Sequence, residues 1–266
     1  MTDRYPKQYR LRVRYRKSGR LKYLGHLEVL HTIERIVRRA ELPYAVTQGF
    51  SPHMRTGFSS ALPVGTCSDC EWFDLFMTDP VPVEDALARL AASSPTDLSP
   101  MEAGYIDQRS AALTAFLTRL EYRVELHCDP AFGLSRVRLS AAIDDVRSQH
   151  GIDYLRGKKS KHLDLDRTLL GYRLEEVSPS EFVLTLDTHA DNEGSMRPEL
   201  LLSAVDMLLA PRSDSDGEPI VSTGMQDLRV IKRYDVIRTD QSGESEDGSR
   251  VYPLPRLEAN KRSICE

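Results

Sequence analysis

Three histidines, His26, His31 and His53, lie among arginines in the first quarter of the chain, and Cys67 and Cys70 follow them at C-x-x-C spacing. Histidine with basic neighbours can cleave RNA by general acid/base chemistry without a metal. A C-x-x-C pair can ligate zinc or exchange disulfides. Neither constellation is complete. Structural zinc needs four ligands, no second C-x-x-C exists, and Cys128 and Cys265 are isolated, so a metal would have to recruit the histidines from elsewhere. Nothing in the order of residues makes the histidines converge, and a histidine at a helix start, such as His26, is often a hydrogen-bonding structural group. No catalytic residue, metal or cofactor is therefore expected, and a chain acting without catalysis of its own is favoured.

The elements that would carry these residues are legible. Tyr9, Leu11, Val13 and Tyr15 alternate with Arg10, Arg12, Arg14 and Arg16, the period-two pattern of a half-buried strand. One face is apolar and the other is a row of guanidiniums, able either to follow phosphates or to pair with acids on neighbouring strands. A turn at Lys17 to Arg20 and a short strand through Tyr23 lead to a helix from Gly25 or His26. Its apolar stripe is Val29, Leu30, Ile33, Ile36, Val37 and Ala40, and its opposite face carries His31, Arg35, Arg38 and Arg39. Tyr44 to Thr47 reads as a strand, and Gly49, Ser51, Pro52, Gly57, Ser59 and Ser60 mark a loop that presents Phe50, His53, Arg55 and Phe58. Glycine/serine loops can offer backbone N–H groups to phosphates and aromatic rings can stack on bases. Neither a Walker A loop nor G-x-G-x-x-G is present.

Charge is strongly local. Residues 4–60 hold thirteen Lys/Arg against Glu28, Glu34 and Glu41, a net of +10, which leaves −14 for the remainder of a chain whose total is −4. Such asymmetry points to a polyanionic partner such as nucleic acid. No run of eighteen apolar residues and no secretory h-region is seen, so a membrane association is not expected and a cytoplasmic location is. Four cysteines suit a reducing compartment better than a disulfide framework.

The stretch RLRVRYRKSGRLKYLGHLEVLHTIERIVRRAELP, followed by GFSPHMRTGFSSALPVG, closely resembles the N-terminal part of the bacterial radical SAM-linked proteins, a family also described as a domain of unknown function. Gly194, Arg197, Pro198, Glu199 and Leu200 to Leu202 resemble that family's late motif, and IKRYDVIR near residue 231 its final one, so that the resemblance covers most of residues 9–238. It implies a protein encoded beside, or fused to, a radical SAM enzyme. The cluster motif C-x3-C-x2-C is absent, so any radical chemistry would belong to that partner.

Further elements complete a fold expectation. Strands at Glu71 to Met77 and Met101 to Gln108, with a helix at Val83 to Ala92 between them, make the order β, α, β, β, α, β. After a helical segment at Ser110 to Arg119, a second pass has strands at Tyr122 to His127, Ile152 to Arg156, Glu181 to His189 and Leu228 to Ile237. Its helices are Ser140 to His150 and one starting at Arg197-Pro198. The expected fold is α+β, two tandem ferredoxin-like (βαββαβ) units with antiparallel sheets, an arrangement also used by RNA-processing proteins of the Cas6 type. The boundaries are 1–109, 110–240 and a disordered tail 241–266, with a mobile loop at Ser213 to Gly224.

The favoured function is a non-catalytic accessory protein of a radical SAM enzyme that binds RNA, tRNA or rRNA, through Arg12, Arg14, Lys17, Arg20, Lys22, His26, His31, Arg35, Arg38, Arg39, Phe50, His53 and Arg55. Lys158, Lys159 and Lys161, beside Arg156 and His162, extend that surface or are neutralised by Asp164, Asp166, Glu175 and Glu176. The alternatives are docking onto the radical enzyme without RNA contact and a metal-independent ribonuclease.

Overall fold

The alternation of Tyr9–Lys17 produces strand β1 over those nine residues in the computed structural model, which describes residues 7–191, 193–211, 219–224 and 226–254. A 3-10 turn at Gly19–Tyr23, rather than a strand, leads into helix α1, His26–Arg39. Gly25 is its N-cap, and the Glu28 carboxylate accepts the Gly25 backbone N–H at 2.7 Å. Val29, Ile33, Ile36 and Val37 are buried under it, each contributing about 1.5–3 kcal/mol of apolar transfer free energy.

Strand β2 is only Thr56–Phe58; β3 is Thr66–Met77, α2 Val83–Ala92 and β4 Pro100–Ile106. Tyr44 and Val46 make isolated bridges to Met77 and Met54 instead of a strand, so residues 47–53 form a hairpin tip. A short helix α3, Leu113–Phe116, precedes β5, Arg119–Cys128, and α4, Arg136–Arg147. There follow β6, Gly151–Arg156; β7, Lys159–Asp164; α5, Leu165–Thr168; β8, Leu169–Ser178; and β9, Glu181–His189. Helix α6 spans Pro198–Leu209, β10 Ile220–Val221, β11 Ile231–Glu244 and β12 Arg250–Val251.

The chain is thus α+β, with six α-helices among the described residues and one large sheet of order β4-β1-β3-β11-β5-β9-β8. Two expectations change. The sheets are mixed and not only antiparallel, because Thr66, Cys67 and Ser68 of β3 run parallel to Val236, Ile237 and Arg238 of β11. The cause is the shortness of β2, which pairs only with Phe73, Asp74 and Leu75 and leaves the first part of the β3 edge open. Secondly, Ile152 to Arg156 does not enter the large sheet. Strand β6 forms a separate three-stranded sheet with β7 and β10, and the place beside β9 is taken by β8, whose partly exposed sequence lacks clean alternation.

Two apolar cores follow from this order. One joins Leu11, Val13, Phe73 and Leu75 to α1 and α2; the other joins Tyr122, Val124 and Leu184 to α4 and α6. On the opposite side of β3, Trp72 packs with Leu113, Leu117 and Leu254. The expectation of a disordered tail is corrected for residues 241–254, since Gln241 to Glu244 complete β11 and Arg250–Val251 pair with it. Residues 255–266 and the first half of the Ser213 to Gly224 loop, 213–218, lie outside the described residues. No helix among the described residues is long and apolar enough to cross a membrane.

Candidate nucleic-acid interface

Tertiary pairing divides the cations of the first sixty residues into spent and free. On β1, Arg10 and Arg12 are buried and converge on Asp74, Arg10 Nη2 donating at 2.6 Å and Arg12 Nε at 2.8 Å. Arg10 also donates to the Ala111 carbonyl at 3.0 Å, so the segment after β4 closes over both guanidiniums. Arg14 pairs with Glu102 at 3.1 Å and Arg16 with Asp69 at 2.8 Å. The row of guanidiniums is therefore matched by acids on β3 and β4. Arg12 is corrected from a phosphate contact to an internal anchor, and Arg14 to an ion-paired residue.

Lys17 is corrected in the same way. A register shift after Tyr15 turns it inward, where Nζ donates to the carbonyls of Leu24 at 2.8 Å and Lys22 at 3.1 Å. It is 2% exposed, and burial lowers its pKa from the ordinary lysine value. Lys22 donates to Asp235 of β11 at 2.9 Å, a hydrogen bond that raises its pKa. Arg55 lies with its guanidinium 4.1 Å from the centroid of the Phe76 ring and donates to Gln8.

What is left free is concentrated on α1. His31, Arg35, Arg38 and Arg39 are all exposed on one helix face. Glu34 engages Arg38 at 3.6 Å and His31 at 3.8 Å, whereas Arg35 and Arg39 have no ion pair with a described residue. Arg20 is exposed in the 3-10 turn, and Phe50 and His53 are exposed in the 47–53 hairpin. His26 instead sits at the helix start, edge-on to Phe58 with centroids 5.9 Å apart. The three histidines occupy separate settings, and no hydrogen bond, ion pair or ring contact joins them.

Lys158, Lys159 and Lys161 are exposed on the β6/β7 hairpin, where Gly157 adopts φ +61° at the turn. None of the three lysines has an ion pair with a described acid; Asp166 pairs with His150 at 2.7 Å and Asp153 with His162 at 2.7 Å. This hairpin belongs to the separate three-stranded sheet, whereas α1 packs on the large sheet, so the free cations form two patches.

Cys67, Cys70 and Cys128 are free thiols. Positions three apart on a strand point to opposite faces, so Cys67 and Cys70 of β3 cannot chelate one ion together. Burial pushes the Cys70 thiol up to about 12 and Cys128 to about 11, and raises Cys67 as well. Among the described residues no group of three or more His, Cys, Asp or Glu side chains could hold a metal.

One feature escaped the sequence reading. Lys22 lines a cleft of about 140 Å³ together with Lys232 and Arg233 of β11 and Glu199 of α6. Residues more than 170 positions apart meet there, and no local pattern announces it.

Solved structures similar to this chain include the Cbf5-Nop10-Gar1 complex (10% identity, TM-score 0.45, 89% of this chain and 50% of the matched one). The archaeal box H/ACA sRNP Nop10-Cbf5 complex is also similar, at 9% identity and TM-score 0.40, covering 87% of this chain and 47% of the other. The chain spans about half the length of these matched chains, and likenesses at these scores carry no functional argument. No curated protein matches the sequence. The model of a family described as "uncharacterized protein conserved in bacteria (DUF2344)" matches residues 10–198, well over half of the chain, and the protein belongs to that family.

Proposed function

We propose that this chain is a non-catalytic accessory protein that binds RNA through the exposed face of α1, with the β6/β7 hairpin as a second contact. The observation that carries the reading is the contrast between Arg35 and Arg39, exposed and without an acidic partner among the described residues, and the matched arginines of β1. Cations left unneutralised on the surface of a chain with net charge −4 have a polyanion as their natural complement. Phe50, fully exposed beside His53 in the hairpin tip, supplies a ring on which a base can stack.

Two finer points belong to the same proposal. The strand orders β4-β1-β3-β2 and β11-β5-β9-β8, each with helices after its first and third strands, support two ferredoxin-like units spanning 1–109 and 110–240, the second carrying the β6/β7 hairpin as an insertion. The resemblance over residues 9–238 supports a radical SAM enzyme as partner in the cytoplasm, the RNA being tRNA or rRNA. The test is binding of the purified protein to tRNA and rRNA at several salt concentrations, with Arg35→Glu/Arg39→Glu as the variant. Salt-dependent binding lost in the variant supports the reading, and absent or salt-insensitive binding overturns it.

A second reading, docking onto the partner enzyme without RNA contact, is favoured by the exposed Leu27 on the same helix, 68% accessible, together with Phe50. Co-purification that survives RNase, without any RNA shift for the isolated chain, would select it. A metal-independent ribonuclease has the least support, because His26, His31 and His53 stand apart.

A further inference from the structure

The late motif Arg197-Pro198-Glu199 takes no part in the α1 surface, yet it places an unusual group. Glu199, at the start of α6, is 2% exposed, and its Oε1 has no hydrogen-bond partner among the described residues. Its nearest cation, Arg197 Nη1, stands 3.8 Å away and donates instead to the Ser222 hydroxyl at 3.1 Å. A buried carboxylate oxygen with no donor costs more than almost any other single polar defect. Burial raises the Glu199 pKa above the usual carboxylate range.

Glu199 lines the cleft of about 140 Å³ where the seam of β11 and β3 meets α6. Tyr234, whose hydroxyl accepts the Gln226 backbone N–H at 2.7 Å, lines the same cleft and supplies an aromatic wall. Lys232 and Arg233 line it too and are exposed, their side chains 56% and 67% accessible. Their partners are Asp129 at 3.4 Å for Lys232, and His127 at 2.8 Å and Asp235 at 3.7 Å for Arg233. The arrangement is an acceptor within, a ring beside it and cations that can turn toward an incoming anion.

The geometry points to a mononucleotide site for a base that carries an exocyclic amino group, the amino N–H donating to Glu199 Oε1 and the phosphate meeting Lys232 and Arg233. A carboxylate accepting from cytosine N4 is a recognised base contact, and uracil presents a carbonyl at the same position. The cleft is small, the volume of a few waters at about 30 Å³ each, which suits one base and not a helix. Nothing in this assignment requires the α1 surface to bind RNA.

Calorimetric titration of the full chain with CMP, UMP and cytidine tests it. CMP is expected to bind at least about tenfold more tightly than UMP, the effect of one hydrogen bond to a charged acceptor, and more tightly than cytidine. Glu199→Gln should abolish or invert the CMP preference, since the amide can donate to uracil O4, and Lys232→Ala/Arg233→Ala should weaken CMP and UMP alike. Equal affinity for CMP and UMP, no binding of either, or a preference retained in Glu199→Gln would overturn the assignment. The wild-type comparison stands whether or not the variants fold. A chain that binds RNA through α1 but discriminates no mononucleotide would sink this site alone.

Discussion

Arg238 of β11 and Glu71 of β3 meet at 3.0 Å, both essentially excluded from solvent, beside the short parallel ladder that joins the two parts of the large sheet. Arg238 also donates to the Tyr122 hydroxyl at 2.9 Å, and Gln241 donates to the same Glu71 oxygen at 3.0 Å. Burial disfavours the guanidinium charge most strongly, but Glu71, Tyr122 and Cys70 together outweigh it and the net shift is upward. The pair is a clasp between elements 167 residues apart.

Removing one member leaves an uncompensated buried charge. Glu71→Met or Arg238→Met should each destabilise the protein by about 3–5 kcal/mol. The double variant Glu71→Met/Arg238→Met should lose less than the sum of the two single changes, because no charge is stranded. Denaturant unfolding of the four proteins measures this, and strict additivity would contradict the clasp.

Asp74 is the acid shared by the buried Arg10 and Arg12, so Asp74→Asn should cost about as much as breaking a buried pair, roughly 3–5 kcal/mol. Arg35→Ala on the exposed face of α1 should stay within about 0.5 kcal/mol. Thermal unfolding distinguishes the internal anchors from the surface cations, and equal effects would refute the division.

If α1 contacts single-stranded RNA phosphates, each lost contact reduces the slope of log K against log salt by about 0.7. Arg35→Glu with Arg39→Glu should therefore flatten the slope by about 1.4 or more. Glu34→Gln, which frees Arg38 and His31 from their shared acid, should tighten binding. A slope unchanged by either substitution would place the RNA elsewhere on the molecule.

Thiol burial makes stability depend on alkaline pH. Cys70, pushed up to about 12, and Cys128, to about 11, hold their protons in the folded state after the unfolded thiols, near 8.5, have lost theirs. The folded form then binds more protons, so stability is full below about pH 8.5 and falls as pH rises toward 11–12. Cys70→Ala should make the decline shallower. Iodoacetamide at pH 8 should leave both thiols unmodified until the protein unfolds, as peptide mapping would record.

Local periodicity carried much of the fold. Helix α2 at Val83–Ala92 and strand β9 at Glu181–His189 lie where their patterns place them, because an apolar stripe or a strict alternation is a property of neighbouring residues. Strands β7 and β8 were not legible. Lys159–Asp164 is a polar hairpin arm with one buried residue, and β8 is an edge strand with much of its surface in water, so neither displays the signal of a covered face.

The free face of α1 was equally legible, since four residues at helical spacing share a surface whatever surrounds the helix. Glu199 was visible as part of a motif, but its solitude was not.

By itself the sequence determined strand β1, helix α1 with its basic face, and the concentration of charge in residues 4–60, all set by residues close together in the chain. Only the tertiary structure decided which cations remain available. Arg12 and Arg35 are indistinguishable as residue types, but Asp74, 62 positions from Arg12, lies across the strand from one of them and no acid among the described residues pairs with the other. Burial and charge pairing depend on that long-range register, which no local pattern encodes.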